Sequence, residues 1–238
     1  MKSIIYKELN SYFSGLGGYL AIGLFVMVAS LTLFVFGNDL NILDYGYVDL
    51  TPFFILTPYL LIFLIPAVTM RSFSLERDLG TLELLMTRPL STWQIIFGKY
   101  VAALLITIIA LTLTLVYPMV LSMMGDLDLG PVIGSYTGLV LVAMGFTAIG
   151  LFTSLITTNQ IISFLSAAIL CFFIYYGLES LAATSSSVSW IRMAGMSYHF
   201  DSLARGVLDT RNLIYLLGVA VFFLALSESV LKSNTTNN

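Results

Sequence analysis

The chain alternates between long apolar runs and short polar segments. Six runs are free, or nearly free, of charged residues. Each has at least the roughly 17 residues that a helix needs to cross the hydrocarbon core of a bilayer. We therefore predict an all-α, polytopic membrane protein in which residues 1–238 form one transmembrane domain. Its six spans are expected at 19–36, 53–70, 100–124, 132–158, 161–178 and 213–231.

The fourth and fifth spans are predicted from one uninterrupted stretch. No charged residue occurs from Gly130 to Leu178, which is too long for a single membrane helix. Thr157, Asn159 and Gln160 supply a polar break within it. This pattern predicts two helices joined by a tight turn.

Composition agrees with a membrane protein and excludes several kinds of site. The chain is 58% hydrophobic and 10% charged, so it cannot cover itself with polar surface in water. One cysteine and one histidine exclude a disulfide within the chain and leave too few ligands for a thiolate or imidazole metal cluster. Cys171 is expected to pack in mid-span. His199 is interpreted as an interfacial residue, with proton sensing as the alternative.

The distribution of positive charge predicts the orientation. Threading six spans places seven Lys and Arg residues on one side and three on the other, and the richer side is expected to be cytoplasmic. Both termini would then be cytoplasmic, and the net charge of −3 gives no reason to expect nucleic acid as a partner. The seven are Lys2, Lys7, Arg71, Arg77, Arg88, Lys99 and Lys232; the three are Arg192, Arg205 and Arg211.

The segment before the first span has an amphipathic pattern. It predicts a helix in the cytoplasmic interface within residues 1–18, and a frayed tail is the alternative. Gly15, Gly17 and Gly18 would let the chain turn into the membrane. The apolar face would contain Ile5, Leu9, Tyr12, Phe13 and Leu16, and the polar face Lys2, Lys7, Glu8, Ser11 and Ser14.

Proline and small residues refine the predicted bundle. Pro58 and Pro66 in the second span and Pro118 in the third each remove a backbone hydrogen bond, so these spans are expected to bend. The fourth span carries Gly134 and Gly138 in a GxxxG spacing that lets helices approach closely. This span is a candidate packing face for a helix of this chain or of a partner.

Residues 71–99 form the long charged segment between two spans. Leu75, Leu79, Leu82 and Met86 recur at helical spacing and predict a short amphipathic helix softened at Gly80. Arg88-Pro89 would end it, and Ser91 with Gln94 forms a capping-box pattern that starts the next helix. The polar face carries both signs of charge, which favours a protein partner over anionic lipid.

These residues resemble those of a known family. The run from Glu76 to Glu83, ERDLGTLE, is similar to the cytoplasmic loop between the second and third spans of ABC-2 type permeases, as is the continuation RPLS followed by IIFGK. The opening KELNSYF resembles the elbow helix of that family, and FDSLARGVLD at 200–209 resembles the segment before its last helix. Spacing and length are most similar to the GldF permeases of gliding motility, and less similar to the permease of nitrous-oxide-reductase maturation. The resemblance implies a location in a bacterial inner membrane.

The resemblance implies a permease half that works with other subunits. It would pair with a second half, or with a companion subunit that has a periplasmic domain, as GldG does, and bind a cytoplasmic ATPase dimer similar to GldA. The coupling helix would be formed by Glu76, Arg77, Asp78, Gly80, Thr81 and Glu83. This chain would be non-catalytic and hold no cofactor. ATP and magnesium would bind the partner, because the sequence contains no GxxxxGK[ST] phosphate loop.

Three functions are compatible with these features. The first is ATP-driven movement of a substrate between two permease halves. The second is transmission of ATPase strokes to a periplasmic partner without transport. The third is an ATP-independent carrier, channel or scaffold, which the uncharged span centres and the coupling-like loop disfavour.

Overall fold

The computed structural model describes residues 2–43, 48–82, 91–184, 192–207 and 209–236, and every regular element in these ranges is helical. The first six helices are α1 (Lys2–Ser14), α2 (Leu16–Phe34), α3 (Thr51–Thr69), α4 (Ser74–Asp78), α5 (Thr92–Leu113) and α6 (Val116–Met124). They are followed by α7 (Leu129–Ile156), α8 (Gln160–Phe172), a π-helical turn (Phe173–Gly177), α9 (Leu178–Thr184), α10 (Met196–Ala204) and α11 (Thr210–Thr236).

Within the described residues, six helical segments are long and apolar enough to cross a membrane, which confirms the predicted all-α polytopic fold. The fourth, α7, is the central helix: 78% of its most hydrophobic 18-residue window is buried, against 22% for the fifth segment. It packs against α3, α5, α8, α10 and α11. The spans that surround it expose apolar side chains outward, as expected when lipid is the solvent.

The glycines of α7 explain how other helices approach it so closely. A methyl group added at Gly134 would lie 2.4 Å from the carbonyl oxygen of Leu203, and one at Gly150 would lie 2.1 Å from Oγ1 of Thr69. Added at Gly138, it would meet the ring of Phe200 at 2.9 Å. The predicted small-residue packing face therefore contacts α3 and α10 of the same chain.

The hairpin between the fourth and fifth spans forms where the polar break predicts it. Helix α7 ends at Ile156, and α8 begins at Gln160 with Asn159 as its N-cap. The Asn159 side chain accepts a hydrogen bond from the amide of Ile161 at 2.8 Å, which satisfies one of the unpaired amides at the start of a helix. Cys171 is buried in α8, as expected.

The third span is broken rather than continuous. Helix α5 ends with short-range turns at Thr114 and Leu115, and α6 contains Pro118, which cannot donate to the carbonyl of Thr114. That carbonyl instead accepts the hydroxyl of Tyr136 from α7 at 3.1 Å and the amide of Tyr117 at 2.9 Å. A hydrogen bond from a neighbouring helix thus stabilises the break. Such a partner is needed because a backbone carbonyl in the hydrocarbon core of a bilayer has no water to bond to.

The predicted apolar face of α1 packs against the bundle through Leu9, Tyr12 and Phe13, which are partly buried against the core. Ile4 is buried as well and lies against Gly98 of α5, while Leu16 begins α2 and is 77% exposed. Glu8, assigned to the polar face, turns toward α5. The sequence prediction considered only a bilayer below this helix, whereas the helix also packs against α5.

Several helices extend beyond the apolar runs from which the spans are predicted, because they continue through charged residues. Helix α5 begins at Thr92, directly after the predicted capping box, so Lys99 lies inside it. The second apolar segment continues through a turn at 70–73 into α4. The two ends of the bundle are named here by their short helices: the α4 face carries α1 and α4, and the α10 face carries α10 and the start of α3.

His199 on α10 is buried among other parts of the chain, and its position at the membrane interface stays a prediction. Its ring nitrogens lie 2.7 Å from the side-chain oxygen of Asn212 and 2.9 Å from the carbonyl oxygen of Met193, and its ring stacks on Tyr215 at 4.0 Å. Two of these partners belong to α11. His199 therefore fastens α10 to the last span.

Candidate functional site

Lys99 is a buried cation near the α4 face. Its side chain is 1% exposed, and its Nζ lies 2.8 Å from Oε1 of Glu8 on α1 and 3.1 Å from Oε1 of Glu76 on α4. It also donates to the carbonyl of Ser72 at 2.5 Å. An ammonium group has three hydrogens to donate, so these three oxygens can use all of them.

Lys7 completes an electrically balanced group at this site. Its Nζ lies 3.5 Å from the same Glu76 oxygen, and its side chain is exposed. Two lysines and two glutamates, Lys7, Lys99, Glu8 and Glu76, are called the ion cluster below. A buried ammonium group loses its hydration, and opposite charges and hydrogen bonds must compensate for this loss. Lys99 has both kinds of partner.

The ring of Phe73 packs against the ion cluster, with Lys99 above its face. Phe73 is fully buried immediately before α4, and Nζ of Lys99 lies 4.9 Å from the centre of its ring. A cation above an aromatic face is attracted to it, with an energy of about 0.5–2 kcal/mol depending on desolvation. The ring therefore adds to the attraction that holds Lys99 at the junction of α1, α4 and α5.

Helix α4 is also joined to the central helix. The guanidinium of Arg77 donates to the carbonyl of Leu155, in the last turn of α7. Carbonyl groups at a helix C-terminus have no partner within the helix and carry partial negative charge, so a guanidinium is a favourable partner. A displacement of α4 would therefore act on α7 directly.

A glycine in the left-handed conformation follows the C-terminus of α4. Gly80 has φ +66°, and its amide donates to the carbonyl of Arg77 at 3.2 Å. Glycine reaches this region without the steric cost of a side chain, which explains its position just beyond the helix end. Thr81 Oγ1 then donates to the carbonyl of Glu76 at 3.3 Å.

The predicted coupling residues divide into two groups. Glu76 and Arg77 point into the bundle, while Asp78, Gly80 and Thr81 are exposed. Leu79, predicted on the apolar face, is 64% exposed and joins the outward group because α4 ends before it. Glu83, Met86, Arg88 and Pro89 lie outside the described residues.

A second contact ties α1 to the end of α3. The hydroxyl of Tyr12 donates to the carbonyl of Val68. Burial raises the pKa of Tyr12 to about 12, and a hydrogen bond with Ser72 opposes the rise. The phenol therefore stays protonated and remains a donor across the physiological range. A cavity of about 520 Å³ lies beside these residues and is bordered by α1, α3 and α4.

Oε2 of Glu76 is buried and has no hydrogen-bond partner among the described residues. The other oxygen of the same carboxylate receives both lysines. A buried carboxylate oxygen left unpaired costs free energy that a donor could recover. Glu76 is thus the member of the ion cluster that retains an unused acceptor.

The ion cluster is not among the features predicted from the sequence. The apolar runs place Lys99 at the end of a charged segment and Glu8 on the polar face of α1, although the two are paired across 91 positions. One signal was present: the capping box at Ser91 starts a helix early enough to place Lys99 about two turns inside it. A lysine within an apolar helix requires a nearby carboxylate if it faces the bundle.

The capping box itself is confirmed. Oγ of Ser91 accepts the amide of Gln94 at 3.3 Å, and Oε1 of Gln94 accepts the amide of Ser91 at 3.3 Å. These reciprocal bonds satisfy backbone groups at the start of α5. They fix the point where the chain returns to the bundle.

The fold and site define a multi-pass helical membrane protein with a short helix linked to its spans at one face. A family profile described as "ABC-2 family transporter protein" matches residues 39–227. The chain belongs to this family.

Curated relatives give a more distant comparison. The "Probable multidrug ABC transporter permease YbhR" of Escherichia coli strain K12, and the protein of the same name in strain O157:H7, are each 32% identical to the chain over 132 residues. The match covers 52% of this chain and 35% of each relative. The similarity therefore extends over about a third of each relative's length.

Proposed function

We propose that the chain is the permease subunit of an ABC transporter and uses α4 to receive work from a separate cytoplasmic ATPase dimer. In this proposal the α4 face and both termini are cytoplasmic. A second permease half or companion subunit completes the transmembrane unit. ATP and magnesium are bound by the partner ATPase.

The observation that carries the proposal is the double attachment of α4. Glu76 joins it to α1 and α5 through Lys99, and Arg77 joins it to the end of α7. A partner that pushed on the exposed residues 78–81 would therefore move three helices together. Exposed groups supply the contact, and buried groups carry the displacement into the bundle.

Affinity purification in mild detergent tests the contact. We expect the tagged chain to recover an ABC ATPase, and Asp78→Lys to lower the amount recovered at least fivefold because a reversed charge disrupts a complementary surface. Asp39→Lys is the matched control, since Asp39 is also exposed but follows α2 toward the α10 face. Its recovery should equal that of the unmodified chain.

Two results would count against the proposal. Equal recovery with Asp78→Lys and Asp39→Lys would remove residues 78–81 from the contact. Recovery of the chain without any ATPase under several detergent conditions would favour the ATP-independent carrier or scaffold.

Two forms of the proposed function differ in the work performed. The similarity to permeases named as probable multidrug transporters supports export of small molecules. The resemblance to GldF supports gliding motility, with a GldA-like ATPase and a GldG-like companion whose periplasmic domain receives the movement. Deleting the gene in its source organism and measuring both dye retention and surface spreading would separate the two forms.

A further inference from the structure

A second cavity, of about 610 Å³, opens at the α10 face. It lies among α3, α7, the π-helical turn, α9 and α10, far along the spans from the ion cluster. Its volume falls within the range of about 300–1,000 Å³ typical of small-molecule sites. Ile55 and Tyr176 on its wall are exposed, so the cavity is open to the molecular surface.

Tyrosines form one wall of this cavity. The ring of Tyr59 on α3 lies 5.9 Å from that of Tyr175 and 6.1 Å from that of Tyr176. The latter two belong to the π-helical turn. Clustered aromatic rings present electron-rich faces that attract cations, and they also offer apolar surface.

The charged groups of the cavity give it a negative balance. Four carboxylates and two guanidinium groups occur among the described lining residues, which leaves a net charge of −2: Asp49, Asp128, Glu179 and Asp201 against Arg192 and Arg205. A cavity of one predominant sign concentrates ligands of the opposite sign.

Three of the four carboxylates are already engaged. Asp49 and Asp128 accept backbone amides at the starts of α3 and α7. Glu179 is held at 3.0 Å from Arg192 and also accepts the hydroxyl of Ser197 at 2.6 Å. These groups are fixed by the fold.

Asp201 is different. In the part of the chain that the structure describes, its carboxylate makes no hydrogen bond and no ion pair within 4 Å. Arg205 donates instead to the backbone carbonyl of Asp201 at 3.2 Å. Partial burial, reinforced by the nearby Glu179 carboxylate, raises the pKa of Asp201, and Arg205 and Arg192 oppose this rise. The carboxylate thus borders the cavity, and among the described residues no cation lies within ion-pair distance of it.

We propose that this cavity binds an organic cation, with Asp201 facing the positive charge and the tyrosine wall contacting the apolar groups around it. An inorganic ion would need several converging oxygen ligands in place of rings. An anion would be repelled by the net negative charge. The cation could be a free molecule or the ammonium headgroup of a lipid, which share this chemistry.

Equilibrium dialysis with tetraphenylphosphonium tests the proposal. The chain is purified in dodecyl maltoside with any subunit that stays bound, so the result does not depend on the ATPase contact. Tetraphenylborate is the matched probe, because it has the same shape and the opposite charge. We expect saturable binding of the cation and no saturable binding of the anion.

Variants then assign the binding to the cavity. Asp201→Asn should weaken the affinity for tetraphenylphosphonium about fivefold, and Asp126→Asn, which removes an exposed carboxylate outside the cavity, should leave it unchanged. Tyr59→Leu should weaken it by a similar factor, while Tyr59→Phe should restore it because the ring remains.

Competition identifies the source of the cation. Displacement of tetraphenylphosphonium by an ethanolamine lipid, but not by a glycerol-headgroup lipid, would indicate a lipid headgroup, whereas displacement by neither would indicate a free organic cation. The proposal would be overturned by an absence of saturable binding, by equal binding of tetraphenylborate, or by equal affinities of the Asp201→Asn and Asp126→Asn variants.

Discussion

Replacing Lys99 with Met provides the most direct test of the ion cluster. Methionine keeps an unbranched stem that can pack over Phe73, so the substitution removes the charge with little change in shape. It leaves Glu8 and Glu76 facing each other without their shared cation. The expected result is a loose junction between α1, α4 and α5.

The size of the effect follows from burial. Removing one partner of a buried ion pair costs about 3–5 kcal/mol, because the remaining charge is left without compensation. The carboxylates of Glu8 and Glu76 keep 13% and 14% side-chain exposure, so some water reaches them. We therefore expect the lower end of that range, about 3 kcal/mol, which corresponds to roughly a 150-fold change in an opening equilibrium.

A triple variant separates lost charge from lost packing. Glu8→Gln and Glu76→Gln combined with Lys99→Met remove three of the four charges of the ion cluster and leave only the exposed Lys7, and such replacements of buried ion pairs are often close to neutral. We expect this variant to lie within about 1 kcal/mol of the unmodified chain.

Hydrogen–deuterium exchange in detergent provides the assay. Amides of α1 and α4 should exchange faster in Lys99→Met, and amides of α10, at the opposite face, should not change. Protection of α1 and α4 in Lys99→Met within about 0.5 kcal/mol of that in the unmodified chain, a difference typical of surface substitutions, would show that the ion cluster does not hold this junction. A triple variant as labile as the single one would show that the lost charge is not the cause of the effect.

Three further predictions concern other parts of the molecule. Gly150→Ala should destabilise the chain by about 1–3 kcal/mol in denaturant unfolding because the added methyl meets Thr69, whereas Gly23→Ala, with open space around it, should not destabilise it. Tetraphenylphosphonium affinity should fall as pH is lowered through the raised pKa of Asp201, at higher pH than for an ordinary aspartate, and the response should be smaller in Asp201→Asn. A cysteine at Asp78 should be labelled in inverted vesicles and not from outside intact cells; labelling from outside would reverse the proposed orientation.

The span count and the hairpin could be predicted because they depend on local composition. Bilayer thickness sets the length of an apolar run, and the polar residues around Asn159 interrupt one that is too long. The capping box at Ser91 is equally local, since its two partners are three residues apart. In each case the determining interaction lies within a few positions along the chain.

The ion cluster and the orientation of His199 could not be predicted in the same way. Lys99 and Glu8 meet because α1 packs against α5, and that arrangement depends on Gly98 accepting Ile4. A hydropathy profile counts a charged residue as part of a loop. It therefore places a lysine that is neutralised inside a helix, such as Lys99, outside that helix. The packing of His199 depends on Asn212, which lies on another helix, so the neighbours of His199 in sequence do not reveal it.

The π-helical turn sets the direction of every residue that follows it in the fifth span. A π turn hydrogen-bonds across five residues where an α-helix bonds across four, so the segment Phe173–Gly177 holds one more residue than a regular turn. Deleting one residue there would rotate α9 by about 100° relative to α8. Glu179 would then turn away from Arg192, and the tyrosine pair would no longer face α3 together. Insertion or deletion of a single residue is therefore enough, in the course of evolution, to create or remove the tyrosine wall of the cavity without substituting any of its side chains.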